Sequence, residues 1–194
     1  MARGSTQRER WPEECSRGRW VRLRPIGTED LPRLAAWDED PEVTALTGKK
    51  FGGAGGSPLE WYRRIRSGGR TRALGIEVRG DLIGEIEVDQ IDWRLGTGEL
   101  RILIGEKEHW GRGYGTDALR TLLQVAFGSW GLRTVYLRVY QENHRAVRLY
   151  RRCGFEPQGV LAPSRRRGDR GPVLLMELTR ERFWQCLGEA AGTA

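Results

Sequence analysis

The sequence has no run of 18 apolar residues, which excludes a membrane-spanning helix. Its opening MARGSTQRER carries charge without an apolar core, so a secretory signal is not expected. Cysteine is scarce. Cys15, Cys153 and Cys186 are odd in number and form no CxxC pair. That speaks against a disulfide framework or a zinc site, and a reducing, cytoplasmic setting with no metal is expected. The phosphate loop G-x-x-x-x-G-K-[ST] is absent, as is the dinucleotide fingerprint G-x-G-x-x-G. No internal repeat and no DNA-binding module occur, so a specific nucleic-acid partner is not expected.

What is present is charge and periodicity. The net charge of +7 comes from arginine far more than from lysine and favours anionic partners. Its densest run is Arg165, Arg166, Arg167 and Arg170. A length of 194 residues suits one domain. Residues 1–18 are polar and patternless and read as a disordered tail, which leaves residues 19–190 as the domain.

Along that domain WVRLRP alternates like a strand, and TEDLPRLAAW reads as a short helix capped by Thr28. The glycine-rich stretch 47–57 reads as a mobile loop, and PLEWYRRIR has proline placed for a first helical turn. RALGIEVRG and DLIGEIEVDQIDW are two strands joined at Gly80 and Asp81, and ELRILIG continues the antiparallel meander. ALRTLLQVAFGSWG is helical and stops at Gly131. TVYLRVY is a strand, NHRAVRLYRRCGF a helix, and residues 155–161 and 173–179 a closing hairpin. ERFWQCL makes a short terminal helix. The sum is one mixed α/β domain.

WGRGYGTDAL, from Trp110, joins a strand to a helix through Gly111, Gly113 and Gly115. A helix N-terminus has unpaired N–H groups and a favourable dipole, so such a turn either holds an anion or merely bends the chain. Two further patterns bear on the choice. Glu99 opens ELRILIG on the same face as Arg101 and Leu103. Tyr150 follows Asn143 by two helical turns and faces the same way.

The span 83–155, through Trp110-Gly111-Arg112-Gly113-Tyr114-Gly115 and NHRAVRLYRRCGF, resembles the GCN5-related N-acetyltransferase (GNAT) superfamily. It is most similar to the branch holding ribosomal-protein N-terminal and spermidine acetyltransferases. The superfamily's motif usually opens with Gln or Arg, from which Trp110 departs, although members of this branch often carry an aromatic at that position. The resemblance implies a mostly antiparallel sheet of about seven strands flanked by helices, with strands four and five splayed. It implies acetyl-CoA as donor, with its diphosphate on backbone N–H groups from Gly111 through Arg112, Gly113, Tyr114 and Gly115 to Thr116. It also implies pantetheine contacts at Leu103, Ile104, Gly105 and Asn143, and Tyr150 as general acid to the coenzyme sulfur. Glu99 aligns with the family's general base, with Glu85 and Glu87 as rivals. Arg145, Arg148 and Arg151 are candidates for the 3′-phosphate.

The acceptor is an amine. An α-amine of pKa about 7.7–8.0 deprotonates more easily than a lysine at about 10.4, which favours protein N-termini. A polyamine or aminoglycoside acceptor, and a non-catalytic acyl-CoA-binding module, are the alternatives. Acceptor contacts are expected from the first helices, the loop 47–57 and the turn Arg165–Arg170, whose charge speaks against a polyamine. Relatives of this kind are often dimers, so a homodimer is open.

Overall fold

The structure, a computed structural model, describes residues 16–47, 57–67, 69–162 and 171–191. Most of the loop 47–57 and the turn Arg165–Arg170 lie outside these residues. In chain order the elements are β1 (Ser16–Arg17), β2 (Arg22–Pro25), α1 (Leu31–Glu39), α2 (Pro41–Thr47) and α3 (Pro58–Ser67). The meander β3 (Arg72–Val78), β4 (Asp81–Asp92) and β5 (Thr97–Ile104) follows. Then come α4 (Tyr114–Gly128), β6 (Thr134–Tyr140), α5 (His144–Arg152), β7 (Glu156–Leu161), β8 (Val173–Thr179) and α6 (Arg180–Ala191). The strands form one sheet in the order β1-β2-β3-β4-β5-β6-β8-β7. Every neighbouring pair is antiparallel except β5 with β6.

The eighth strand comes from the segment read as tail. Ser16 and Arg17 pair with Leu23 and Arg22. The two segments are tied to α4 by one side chain, because the Asp117 carboxylate accepts N–H bonds from Arg19, Trp20 and Val21 at 2.9, 2.7 and 3.0 Å.

Local chemistry explains the turns and helix starts. Arg79 and Gly80 both have positive φ and close the β3–β4 hairpin, with Val78 facing Asp81. The hairpin loop is therefore Arg79-Gly80, one residue before the expected position. Ser57 and Glu60 bond each other's N–H groups in a capping box around Pro58. Thr28 is not a helix cap. It opens a single 3₁₀ turn, and the Asp30 carboxylate there accepts the Gly27 N–H and the Arg24 guanidinium. Helix α2, only seven residues long, had no periodicity to announce it.

Strand alternation divides the sheet into two unlike faces. Leu74, Ile76, Ile86, Val88 and Leu100 belong to the main core with α4, around Leu119, Leu122 and Phe127. On the other face stand Glu85, Glu87 and Asp89 of β4, opposite Leu103, Arg101 and Glu99 of β5. A second, smaller core joins Ile26, just after β2, to Leu34 and Trp37 of α1, Val43 of α2 and Trp61 and Ile65 of α3. Leu103 and Trp110 pack against it.

Strands β5 and β6 pair over three residues only, Thr97–Glu99 against Thr134–Tyr136. Beyond Glu99 they part. Among the described residues no helix is long and apolar enough to cross a membrane.

Asp117→Ala removes the acceptor of three charge-assisted bonds and is expected to cost about 2 kcal/mol of stability. Chemical denaturation measures it, and a loss below about 0.5 kcal/mol would show that the N-terminal strand is held by other means.

Candidate active site

The parting of β5 and β6 opens a cavity of about 620 Å³, a size typical of small-molecule sites. Leu100–Ile104 and Arg138–Tyr140 line its two sides, Asn143 and Tyr150 one end, and the Glu85–Asp89 stripe its floor.

At the fork, Glu99 is 3% exposed and heavily bonded. Its two oxygens accept Arg138 Nε and Nη2 at 2.9 and 2.8 Å. Oε2 also accepts the Gln90 amide at 2.7 Å and Arg101 at 3.5 Å. Arg101 pairs with Glu87 at 3.0 Å and Asp89 at 3.3 Å as well. Burial opposes ionisation of Asp89, yet the Thr71 hydroxyl, the Gln90 N–H and Arg101 hold it below the usual carboxylate range.

Glu85 is different. It is 7% exposed, lines the cavity, and its Oε2 has no hydrogen-bond partner among the described residues. Its carboxyl is pushed well above the usual value by burial and by repulsion from Glu87, against Arg101, with Asp38 adding to the repulsion. Burial also raises Glu87, opposed by Arg101.

Tyr150 is 6% exposed and meets Phe155 edge-on at 5.8 Å between ring centroids. Burial raises its pKa, so the phenol keeps its proton at neutral pH. Asn143 caps α5, its Oδ1 accepting the Ala146 N–H at 3.1 Å, and it also lines the cavity. Cys153 packs in the core beside them, its thiol pushed up to about 11 mainly by burial, which suits packing and not reactivity.

The glycine turn has two parts. Gly111 and Gly113 take φ of +74° and +87°, and Gly113 is the N-cap of α4. Gly115 is already helical, where a Cβ would stand 3.0 Å from Leu149. The N–H groups of Gly111, Arg112, Gly113, Tyr114 and Gly115 find no acceptor among the described residues. Five consecutive free donors at a helix N-terminus fit a phosphate or diphosphate. Thr116 does not extend this row, since its N–H bonds the Gly113 carbonyl at 3.0 Å.

Along β5, Leu103 and Ile104 line the cavity. Gly105 does not. Its N–H donates to Ile83 at 2.9 Å, and its α-carbon abuts Trp37, where any Cβ would collide with the indole. The Trp110 indole N–H donates to the Ile104 carbonyl at 2.7 Å, and the Arg145 guanidinium lies over the Trp110 ring at 4.6 Å. Two features went unseen in the sequence. Arg138 stands amid an otherwise apolar and aromatic strand, which is a signal in itself. The free oxygen of Glu85 carries no local signal at all. His109 is half-buried against Tyr114, with 5.6 Å between ring centroids. Among the described residues no cluster of ligands could hold a metal ion.

A family model described as acetyltransferase (GNAT) domain matches residues 21–156. The spermidine N(1)-acetyltransferase of Vibrio cholerae is 31% identical over 101 residues, which span 52% of this chain and 58% of that protein. That of Escherichia coli strain K12 is 28% identical over 141 residues, 73% of this chain and 75% of that one. The crystal structure of the Vibrio cholerae spermidine N-acetyltransferase in complex with CoA and spermine superposes with a TM-score of 0.75 at 25% identity. It covers 85% of this chain and 98% of that chain.

The raised Glu85 carboxyl gives a pH-dependent prediction. The folded protein holds this proton more tightly than the unfolded chain. The group therefore favours the fold below about pH 4.5 and opposes it as the pH rises through its folded value. Glu85→Gln, which keeps the neutral form, is expected to raise Tm at neutral pH, with the gain vanishing below pH 4.5. A gain independent of pH in thermal melts would refute this.

Proposed function

The chain belongs to the GNAT acetyltransferase family and is an N-acetyltransferase that uses acetyl-CoA, and from that premise we propose that its acceptor is a small polyamine of the spermidine and spermine class. One observation carries the choice: the buried oxygen of Glu85 without a partner, on a floor where Glu87 and Asp38 repel it. Arg138 is committed to Glu99, and Arg101 to Glu87 and Asp89. The partnerless Glu85 oxygen is left to accept an N–H from a cation brought in from outside. A peptide N-terminus brings one positive charge followed by neutral amides, whereas a polyamine brings several and relieves the repulsion more completely. The spermidine acetyltransferases similar to this chain support the same reading. The expected protein N-terminal acceptor ranks second to it, and the arginine turn that argued against a polyamine lies outside the described residues.

Acetyl-CoA supplies the acetyl group as a thioester. The free N–H groups of Gly111–Gly115 would hold its diphosphate, and Leu103, Ile104 and Asn143 would flank its pantetheine. Glu85 takes the proton that the attacking amine must lose. A buried carboxyl with an oxygen free of partners among the described residues suits this task, and Glu99, with both oxygens bonded, does not. Glu99 instead keeps Arg138 and β6 in place. Tyr150 keeps the proton that the leaving sulfur needs.

A thiol-release assay over spermidine, spermine, aminoglycosides and short peptides tests the acceptor. Polyamines are expected to exceed peptides in kcat/KM by at least about tenfold, since one extra buried charge pair is worth that much. Peptides turned over faster would reverse the assignment, and CoA binding without turnover of any amine would indicate a regulatory module. Tyr150→Phe is expected to lower kcat about 100-fold or more with CoA affinity unchanged, and wild-type turnover would remove Tyr150 from the chemistry.

A further inference from the structure

The first residue of the glycine motif raises a question of charge. Where the family's motif opens with glutamine or arginine, this chain has Trp110, which can donate only one N–H. That N–H is spent on the Ile104 carbonyl at 2.7 Å. The bond and the packing of the ring against the second core fix the plane of the indole beside the five free N–H groups. On that plane lies Arg145, its guanidinium carbon 4.6 Å from the ring centroid.

Arg145 sits in the first turn of α5, two residues after the Asn143 cap. It lines the cavity together with Trp110, Gly115 and Asn143. No carboxylate of the described residues pairs with it, and only burial acts on its guanidinium, lowering its pKa from the usual arginine value. A guanidinium lying on an aromatic face keeps its N–H edge open to a further acceptor. Its neighbours Arg148 and Arg151 on α5 do not line the cavity.

We propose that Arg145, seated on Trp110, is the side-chain cation that binds the diphosphate of the coenzyme, supplying from α5 the charge that the motif's first residue lacks. Trp110 is then the platform that aims it. Backbone donors from the α4 turn and a guanidinium from α5 converge on one dianion, so binding also draws together the two helices that flank the cleft. The inference rests on acetyl-CoA being the coenzyme, and the experiment separates the two ideas.

Calorimetry with CoA, 3′-dephospho-CoA and pantetheine on wild type and Arg145→Gln is the test. CoA affinity is expected to fall about tenfold to a hundredfold, and dephospho-CoA affinity by the same factor, while pantetheine binding stays unchanged. An undiminished CoA affinity overturns the proposal. So does a loss seen with CoA but absent with dephospho-CoA, which would put Arg145 on the 3′-phosphate. A wild-type protein that binds no CoA would instead overturn the coenzyme reading itself. In Trp110→Arg/Arg145→Gln the charge returns to the motif's first position, and CoA affinity is expected to recover to within about threefold of wild type. A folded double variant as weak as Arg145→Gln counts against the proposal. Should that variant not fold, the three ligands on Arg145→Gln decide alone, since Arg145 is no part of the core.

Discussion

Beyond Glu99 the backbone of β5 runs on without a neighbour on the β6 side, after only three residues of parallel pairing. A strand edge left open inside a fold has to be kept open by something, because unpaired backbone groups seek partners. Here the wedge is chemical as well as geometric. Glu99 on β5 accepts Nε and Nη2 of Arg138 on β6 at the point where the strands separate. Trp110 and Gly105 then anchor the far end of β5 away from β6, one through the Ile104 carbonyl and the other against Trp37. The cleft between these fixed points gives an extended ligand a backbone edge to run along.

The second constraint is the acidic face of β4 and β5. A sheet face carrying Glu85, Glu87, Asp89 and Glu99 is a poor foundation for a core, and of the helices that cover it α3 brings Trp61 to Glu87 and Arg64 towards Asp89. Arg101 and Arg138 offset most of the charge, and Glu85 is the residue left over. A buried carboxyl without a partner destabilises the fold, and such groups concentrate where binding or proton transfer requires them. The same logic separates the two glutamates that sequence reasoning had treated as rivals. Both oxygens of Glu99 are bonded, and one oxygen of Glu85 has no partner among the described residues.

Much of the fold was legible along the chain. The β3–β4–β5 meander, helix α4, strand β6 and the Asn143–Tyr150 face of α5 follow from alternation, helical spacing and capping, which are local properties. The misreadings are as instructive. Seven residues of α2 are too few to show a period. Thr28 had the right chemistry for a cap, but Asp30 also had the Arg24 guanidinium within reach and took that place. Gly105 looked like a contact to the pantetheine, and its missing side chain instead makes room for Trp37, a contact from a distant segment.

The sequence by itself carried the resemblance that implied the family and the donor, because the glycines at a helix start and the Asn-to-Tyr helix face that make up its motifs each lie within a few turns of chain. Only the tertiary structure decided which carboxylate oxygen and which arginine at the cleft have no hydrogen-bond partner among the described residues, and which glycines line the cavity. Those depend on partners brought in from elsewhere in the chain: Arg138 lies 39 residues beyond Glu99, and Arg145 meets Trp110 across the mouth of the cavity. Pairing between charges is a property of distance in space, and no spacing along the chain encodes it.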